Sequence, residues 1–212
     1  MSREKLTFHG GIHPRGAKSL SKKVAIQQFL PQGNMIYPLS QHIGAPAVPV
    51  VEAGDYVLAG QKIAEAGGFV SAPIYASVSG KIKGLVSHLT LTGAVTTAIE
   101  LENDHEYRSV EFPEPTDPKT LDKEEILRRI GEAGVVGMGG AGFPTRVKLS
   151  PKEPEKMEYI LVNGAECEPY LTSDYRLMLE RPEEIIGGLK IVLQMFPKAK
   201  GCICIEDNKM DC

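Results

Sequence analysis

A proline-rich stretch near the middle of the chain separates two parts with different sequence patterns. Residues 104–119 are strongly charged and contain Pro113, Pro115 and Pro118. Proline fixes φ and lacks an N–H group, so this stretch can continue neither a helix nor a central strand. We therefore expect a linker at residues 105–120, between an N-terminal and a C-terminal part.

The N-terminal part has the pattern of an all-β domain. From residue 48 onward, short apolar runs alternate with glycine turns. Leu89 and Leu91 share one face of a strand, and Val95, Ile99 and Leu101 share one face of the next. This alternation predicts a small β-domain at residues 36–104, after an N-terminal extension at residues 1–35.

The C-terminal part, residues 121–212, begins with a helical pattern. Apolar residues recur at helical spacing in residues 121–130. Asp122 is a candidate N-cap, because it lies three positions before Glu125, and Gly131 is a candidate stop.

A strand–helix–strand pattern follows. The apolar run at residues 159–162 predicts a buried parallel strand, Pro182 opens a helical pattern, and residues 202–205 predict a second strand. Parallel strands joined by a helical crossover form a βαβ unit, so we expect an α/β domain here.

Charge and hydropathy exclude several classes of protein. The net charge of −3 gives no electrostatic reason to bind nucleic acid. No run approaches the roughly 20 consecutive apolar residues of a membrane-spanning helix. The N-terminus leads into Gly10 and Gly11 rather than into the apolar core of a signal peptide, so we expect a cytoplasmic location.

Cysteines and histidines do not form a metal-binding pattern. The four cysteines show no CxxC spacing and predict no disulfide framework: Cys167, Cys202, Cys204 and Cys212. We expect Cys202 and Cys204 to lie on one face of a strand as small apolar side chains, with metal binding the less favoured alternative. For His9, His13 and His42 we favour loop positions with backbone contacts over metal ligation.

The segment at residues 51–85, VEAGDYVLAGQKIAEAGGFVSAPIYASVSGKIKGL, resembles biotinyl and lipoyl domains, and the resemblance covers about residues 44–86. Such carrier domains attach their cofactor to a lysine displayed on a hairpin. The corresponding residues 65–70 contain no lysine, and Lys62, Lys81 and Lys83 lie outside the turn. We therefore expect a barrel-sandwich hybrid that serves as a scaffold.

A glycine-rich loop in the C-terminal part, GMGGAG at residues 137–142, formally matches GxGxxG. The dinucleotide-binding fingerprint needs a strand before it and a helix after it, whereas Phe143 and Pro144 follow here. The loop still presents side-chain-free backbone that can approach a flat ring or a phosphate, with Arg146 and Lys148 as nearby positive charges. A flexible or tightly turned loop without a ligand is the alternative.

A second polar group, NGAECEP at residues 163–169, directly follows the predicted strand at residues 159–162. Ligands of open α/β sheets bind at the carboxyl ends of strands. Asn163 can hydrogen-bond a heterocycle, and Glu166 and Glu168 can accept hydrogen bonds from ribose hydroxyls. A turn or a helix cap is the alternative.

Together, GMGGAGFPTRVK and LVNGAECEP resemble the flavin-bearing subunit of respiratory complex I and of related NADH-linked hydrogenases. With FHGGIHP, PLSQHIGAP and the lysine-less barrel before them, the chain is identified as a member of the RnfC family, the C subunits of Rnf electron-transport complexes. The resemblance covers nearly all 212 residues. It implies an α+β chain, with an all-β biotinyl/lipoyl-like barrel-sandwich hybrid followed by a truncated α/β FMN- and NADH-binding domain.

The resemblance also implies roles for individual residues. Asn163 would hydrogen-bond the isoalloxazine, Glu166 and Glu168 would face flavin and nicotinamide nucleotide, with Glu168 as the catalytic residue, and Phe143 would lie near NADH. The complex I pattern has an Asp at the position of Ala165, which leaves one polar contact open. The residues expected to line the FMN pocket are Gly137, Gly139, Gly140, Gly142 and Lys148.

The implied function is that of a ferredoxin:NAD oxidoreductase subunit in an ion-translocating complex. FMN and NAD(H) would be the cofactors here, with two 4Fe-4S clusters beyond residue 212, so that the fragment itself is expected to be inactive. Other Rnf subunits would be partners and would hold the protein at the cytoplasmic face of the inner membrane, with ferredoxin an indirect partner. A non-catalytic docking module, or a subunit of a soluble NADH dehydrogenase or hydrogenase, is the alternative.

Overall fold

The computed structural model describes residues 14–90 and 93–212, and these residues form two compact units. One unit contains Phe29–Met157 with Gln194–Lys198. The other contains Glu158–Leu193 and Ala199–Cys212, together with the described part of the N-terminal segment through Gln28. Leu91, His9 and His13 lie outside the described residues.

The first unit is built on two antiparallel sheets. The larger sheet has the strand order β1-β7-β6-β3, and the smaller sheet has the order β2-β4-β5. The strands are β1 Met35–Pro38, β2 Val48–Pro49, β3 Tyr56–Val57, β4 Lys62–Glu65, β5 Ile74–Tyr75, β6 Gly80–Leu89 and β7 Val95–Asn103. The register shifts between Lys62 and Ala64 and between Ile82 and Gly84, and such irregularities bend strands in small curled sheets.

The core of this barrel lies between the two sheets. Val57, Ile63, Ile99 and Leu101 are fully buried there, and each buried side chain of this size contributes about 1.5–3 kcal/mol of apolar transfer free energy. The expected alternation in β7 is confirmed for Ile99 and Leu101. Val95, the first residue of the strand, is 69% exposed.

The expected linker is partly docked on this barrel. Tyr107 packs against the barrel core, and the Val110 N–H donates to the carbonyl of Ala59 at 2.9 Å. A short 3₁₀ turn at Pro118–Thr120 then leads into α1, Lys123–Glu132. The compact units therefore divide the chain differently from the proline-rich stretch, and the expected boundaries at residues 35, 104 and 120 remain predictions.

Helix α1 begins as the sequence predicts. The Asp122 carboxylate caps it by accepting from the Glu125 N–H at 2.8 Å, and Ile126 is buried on its inner face. The expected stop at Gly131 is wrong, since the helix continues to Glu132. Gly134, with φ of +66°, follows the helix in the left-handed conformation that closes many helix ends.

The second unit contains the predicted βαβ arrangement. Strands β8, Tyr159–Asn163, and β9, Lys200–Cys204, pair in parallel, and helices α3, Ser173–Glu180, and α4, Pro182–Gln194, connect them. Gly201 brings β9 close to α4, because a Cβ there would lie 2.9 Å from Leu189. The parallel pair and the helix opened by Pro182 are confirmed.

The expected burial of β8 is wrong. Tyr159 and Leu161 are 55% and 65% exposed, because the two-stranded sheet has α4 against one face and these side chains lie on the other. The same geometry leaves Cys204 exposed and Cys202 half-buried. Among residues 14–90 and 93–212, no helix has the length and apolar character that crossing a membrane requires.

Candidate functional site

The glycine-rich loop lies in the first unit, and backbone hydrogen bonds join its two ends. The Gly137 N–H donates to the carbonyl of Phe143 at 2.9 Å, and the Thr145 N–H donates to that of Val135 at 3.0 Å. Pro144 then occupies the N-cap position of the short helix α2, Thr145–Lys148. The loop therefore joins a single bridge of extended backbone to a one-turn helix, which confirms that it is not the strand-to-helix fingerprint of dinucleotide-binding folds.

The glycines of this loop have different surroundings. Gly142 is buried, with φ of +60°, and a Cβ on it would lie 2.9 Å from the carbonyl oxygen of Gln41. Gly139 and Gly140 are exposed, and no heavy atom lies within 4 Å of the position of a Cβ on either. Gly142 therefore packs against the barrel, whereas Gly139 and Gly140 present open backbone.

A cavity of about 490 Å³ lies beside the loop. Gly137, Met138 and Gly140 form part of its wall, and barrel residues including Tyr37 and Ser77 form another part. This volume lies within the range of roughly 300–1,000 Å³ that is usual for small-molecule sites. The open backbone and the cavity fit a flat aromatic ring or a phosphate group, as FMN would present.

Two further predicted residues flank the loop. Phe143 is half-buried directly after the glycines, and Lys148 is exposed at the end of α2. The guanidinium of Arg146 lies 5.7 Å from the centre of the Phe69 ring. The positive charges expected beside the loop are therefore present on α2.

The polar loop at residues 163–169 lies in the second unit, after β8. The Asn163 side-chain oxygen accepts from the Ala165 N–H at 3.1 Å, which makes a local turn. Asn163, Ala165 and Glu168 are exposed. This places Asn163 and Glu168 at the carboxyl end of a parallel strand, as the sequence predicts.

Glu166 differs from its neighbours because it is only 3% exposed. One carboxylate oxygen accepts from the Asp174 N–H at 2.9 Å and from the Ser173 hydroxyl at 3.2 Å, so Glu166 caps the N-terminus of α3. Burial alone would raise the pKa of Glu166, but the Asp174 N–H, Lys209 and Ser173 together hold this pKa below its usual value.

Two lysines hold Glu166 in place. The Lys209 ammonium, 3% exposed, lies 3.3 Å from the Glu166 carboxylate and 2.7 Å from that of Glu206. Burial lowers the pKa of Lys209, but its two carboxylate partners outweigh burial and raise it. Lys18 donates to the backbone carbonyls of Glu166 and Leu171.

Lys18 and Lys209 were not found from the sequence. They contact Glu166 across 148 and 43 positions, and no local pattern marks such distant partners. His42 is 8% exposed and makes backbone contacts with Ala72 and Ile43, as we expected for a loop histidine. Within the described part of the chain, no group of three or more metal-ligating side chains is present, and all four cysteines are free thiols.

Comparison with known proteins identifies both parts of the chain. Residues 6–106 match the RnfC barrel sandwich hybrid domain, and residues 130–212 match the Nuo51 FMN-binding domain. The chain belongs to the RnfC family. The family and the fold class expected from the sequence, a barrel-sandwich hybrid followed by a flavin-binding α/β domain, are confirmed.

Curated RnfC relatives match along almost the whole chain. The C subunit of the proton-translocating ferredoxin:NAD(+) oxidoreductase complex of Clostridium ljungdahlii is 43% identical over 96% of this chain and 45% of its own length. Its counterpart in the Na(+)-translocating complex of Acetobacterium woodii is 39% identical over 97% and 46%. The C subunit of the ion-translocating oxidoreductase complex of Pseudomonas aeruginosa is 40% identical over 95% and 26%. The chain thus spans less than half the length of these relatives.

Proposed function

We propose that the protein is the flavin- and NADH-binding part of the C subunit of an ion-translocating ferredoxin:NAD oxidoreductase complex. The observation that carries this proposal is the open backbone at Gly139 and Gly140, beside a cavity of suitable size, in a sequence that matches an FMN-binding domain. FMN, when bound, supplies hydride exchange with NADH and transfer of single electrons.

The residues of the chain would bind and orient the cofactor rather than react with it. Gly139 and Gly140 let the backbone approach the ligand closely, and their N–H groups can donate to it. Lys148 adds a positive charge near the same loop, and Phe143 provides an aromatic side chain for the nicotinamide side of the site.

The loop after β8, in the second unit, carries polar groups that can bind a nucleotide. Asn163 is exposed and retains its amide N–H donors, because its oxygen alone is used in the local turn. Glu168 is an exposed carboxylate that can accept from a nucleotide hydroxyl, and we propose it as the catalytic residue on the NADH side. Buried Glu166 would fix the loop after β8, through its cap on α3 and its contact with Lys209.

We further propose that electrons pass from this part to two 4Fe-4S clusters in the portion of the protein that the relatives have and this chain does not span. Other Rnf subunits would be its partners, with ferredoxin acting through them. These subunits would hold the protein peripherally at the cytoplasmic face of the inner membrane. The names of the relatives, as C subunits of ion-translocating ferredoxin:NAD(+) oxidoreductase complexes, support the expectation of partner subunits.

Flavin content tests the proposal. The full-length protein is purified under mild conditions, and its flavin is released and identified by chromatography. We expect FMN in a ratio near one per chain. A well-folded protein that contains no flavin, and gains none on incubation with FMN, would contradict flavin binding and support a docking role instead.

A further inference from the structure

The barrel contacts the glycine-rich loop directly. The Ile43 N–H donates to the carbonyl of Ala141 at 3.0 Å, in the middle of the loop. A Cβ on Gly142 would lie 2.9 Å from the Gln41 carbonyl oxygen and 3.0 Å from the Cα of His42. All these partners are backbone atoms, so side-chain rotation cannot relieve the approach. The position of the loop is therefore set by residues 41–43.

His42 ties this segment to another part of the barrel. Its Nε2 lies 3.1 Å from both the amide nitrogen and the carbonyl oxygen of Ala72, and its Nδ1 lies 3.2 Å from the carbonyl of Ile43. The Nδ1–H tautomer makes two hydrogen bonds, since it donates to Ile43 and accepts from the Ala72 N–H, whereas the other tautomer serves only the Ala72 carbonyl. His42 thus links Ala72 to Ile43, whose N–H group binds the glycine-rich loop.

The turn where carrier domains display their lysine is packed against the same segment. The Ala45 N–H donates to the Val70 carbonyl at 2.9 Å. A Cβ on Gly44 would lie 2.1 Å from the Val70 carbonyl oxygen, and one on Gly67 would lie 2.1 Å from that of Pro46. The turn is therefore held closely against residues 44–46, next to the contact with the glycine-rich loop.

We propose that the barrel positions the glycine-rich loop and that His42 is a positioning residue for this loop. The turn at residues 65–70, where carrier domains display their lysine, contains no lysine. Its backbone packs against residues 44–46, and the adjoining residues 41–43 contact Ala141 and Gly142. The consequence for cofactor binding rests on the proposed function, because FMN is the ligand that the loop would take.

Three variants of the full-length protein test this assignment. His42→Ala removes both ring contacts, and His42→Gln restores an amide that can accept from the Ala72 N–H and donate to a carbonyl. Val57→Ala is the matched control, because Val57 is fully buried in the barrel core on β3 and takes no part in the hydrogen bonds of His42 with Ala72 and Ile43. Two quantities are measured in each variant: hydrogen exchange of the Ile43 amide, and the dissociation constant for FMN.

We expect His42→Ala to accelerate exchange at Ile43 and to weaken FMN binding, each by about tenfold, as the loss of one buried hydrogen-bond link predicts. His42→Gln should recover most of both losses. Val57→Ala should lower the melting temperature while leaving both quantities within about twofold of the unchanged protein, because global unfolding is rare at the assay temperature.

Equal exchange rates at Ile43 and equal FMN affinities in His42→Ala and Val57→Ala would overturn the assignment. So would a His42→Gln variant that behaves like His42→Ala in both measurements. If the unchanged protein binds no FMN, the proposed function fails. The hydrogen-exchange rate of the Ile43 amide alone then decides whether the barrel positions the loop.

Discussion

Replacing Gly139 by alanine separates a ligand-binding role of the glycine-rich loop from a role in folding. No heavy atom lies within 4 Å of a Cβ at this position, and Gly139 does not have a positive φ. The methyl group therefore meets no protein atom and strains no backbone. Restricting the unfolded chain should even stabilise the fold by about 0.4–1 kcal/mol.

FMN binding should respond in the opposite direction. If the flavin lies against the backbone at Gly139, the added methyl group occupies its contact surface and should weaken binding by at least about tenfold, or about 1.4 kcal/mol. Gly140→Ala should weaken binding as well, but its φ of +124° adds a folding cost of about 1–3 kcal/mol. Gly187→Ala, on the open side of α4, is the control and should leave FMN binding unchanged.

The assay combines thermal unfolding with titration of FMN fluorescence in the full-length protein. Unchanged FMN affinity in Gly139→Ala would refute the reasoning, because it would mean that the open backbone does not face the flavin. A large loss of stability in the same variant would contradict the open surroundings of Gly139, because no protein atom lies close enough to clash with the added methyl group.

Four other perturbations give distinct outcomes. Glu168→Gln should leave bound FMN in place but slow its reduction by NADH, and stopped-flow absorbance showing normal rates would contradict a role on the nucleotide side. Lys209→Met should cost about 3 kcal/mol in urea unfolding, because it leaves the buried Glu166 carboxylate without its closest charge partner, whereas a change below about 0.5 kcal/mol would show that this ion pair is dispensable. The pKa of Glu166 is lowered in the fold, so its carboxylate should stabilise the folded state fully above about pH 4.3. This contribution to the free energy of unfolding should disappear as the pH falls through the folded-state pKa, and Glu166→Gln should remove this pH dependence. Gly67→Ala should destabilise the barrel by about 1–3 kcal/mol in the same measurement, because its Cβ would overlap the Pro46 carbonyl, and a neutral result would show that residues 66–71 shift freely.

Features that depend on near neighbours could be predicted from the sequence. The cap on α1 follows from Asp122 and Glu125, which lie three positions apart, and the helix opened by Pro182 follows from local chemistry. The glycine-rich loop differs from a dinucleotide-binding fingerprint because Phe143 and Pro144 follow it. In each case the residues that decide the local structure lie within a few positions of one another.

Features that depend on distant contacts could not be predicted. The burial of Glu166 depends on Lys209, 43 positions away, and on the N-terminus of α3, while its expected place beside the flavin stays a prediction. An apolar run such as that of β8 shows that a strand can be buried, whereas actual burial depends on which elements cover the sheet. The glycines of the loop look alike in sequence, yet Gly142 is buried against the backbone of Gln41 and His42, whereas Gly139 is exposed.

Anaerobic reduction of the bound flavin by NADH tests the central claim most directly. The full-length protein, carrying its FMN, is mixed with NADH, and the visible absorbance of the flavin is followed over time. We expect rapid and complete bleaching, slowed in Glu168→Gln and absent from protein that has lost its flavin through Gly140→Val. A flavin that stays oxidised in the presence of excess NADH would contradict the proposal that this RnfC-family protein binds FMN and NADH for hydride exchange.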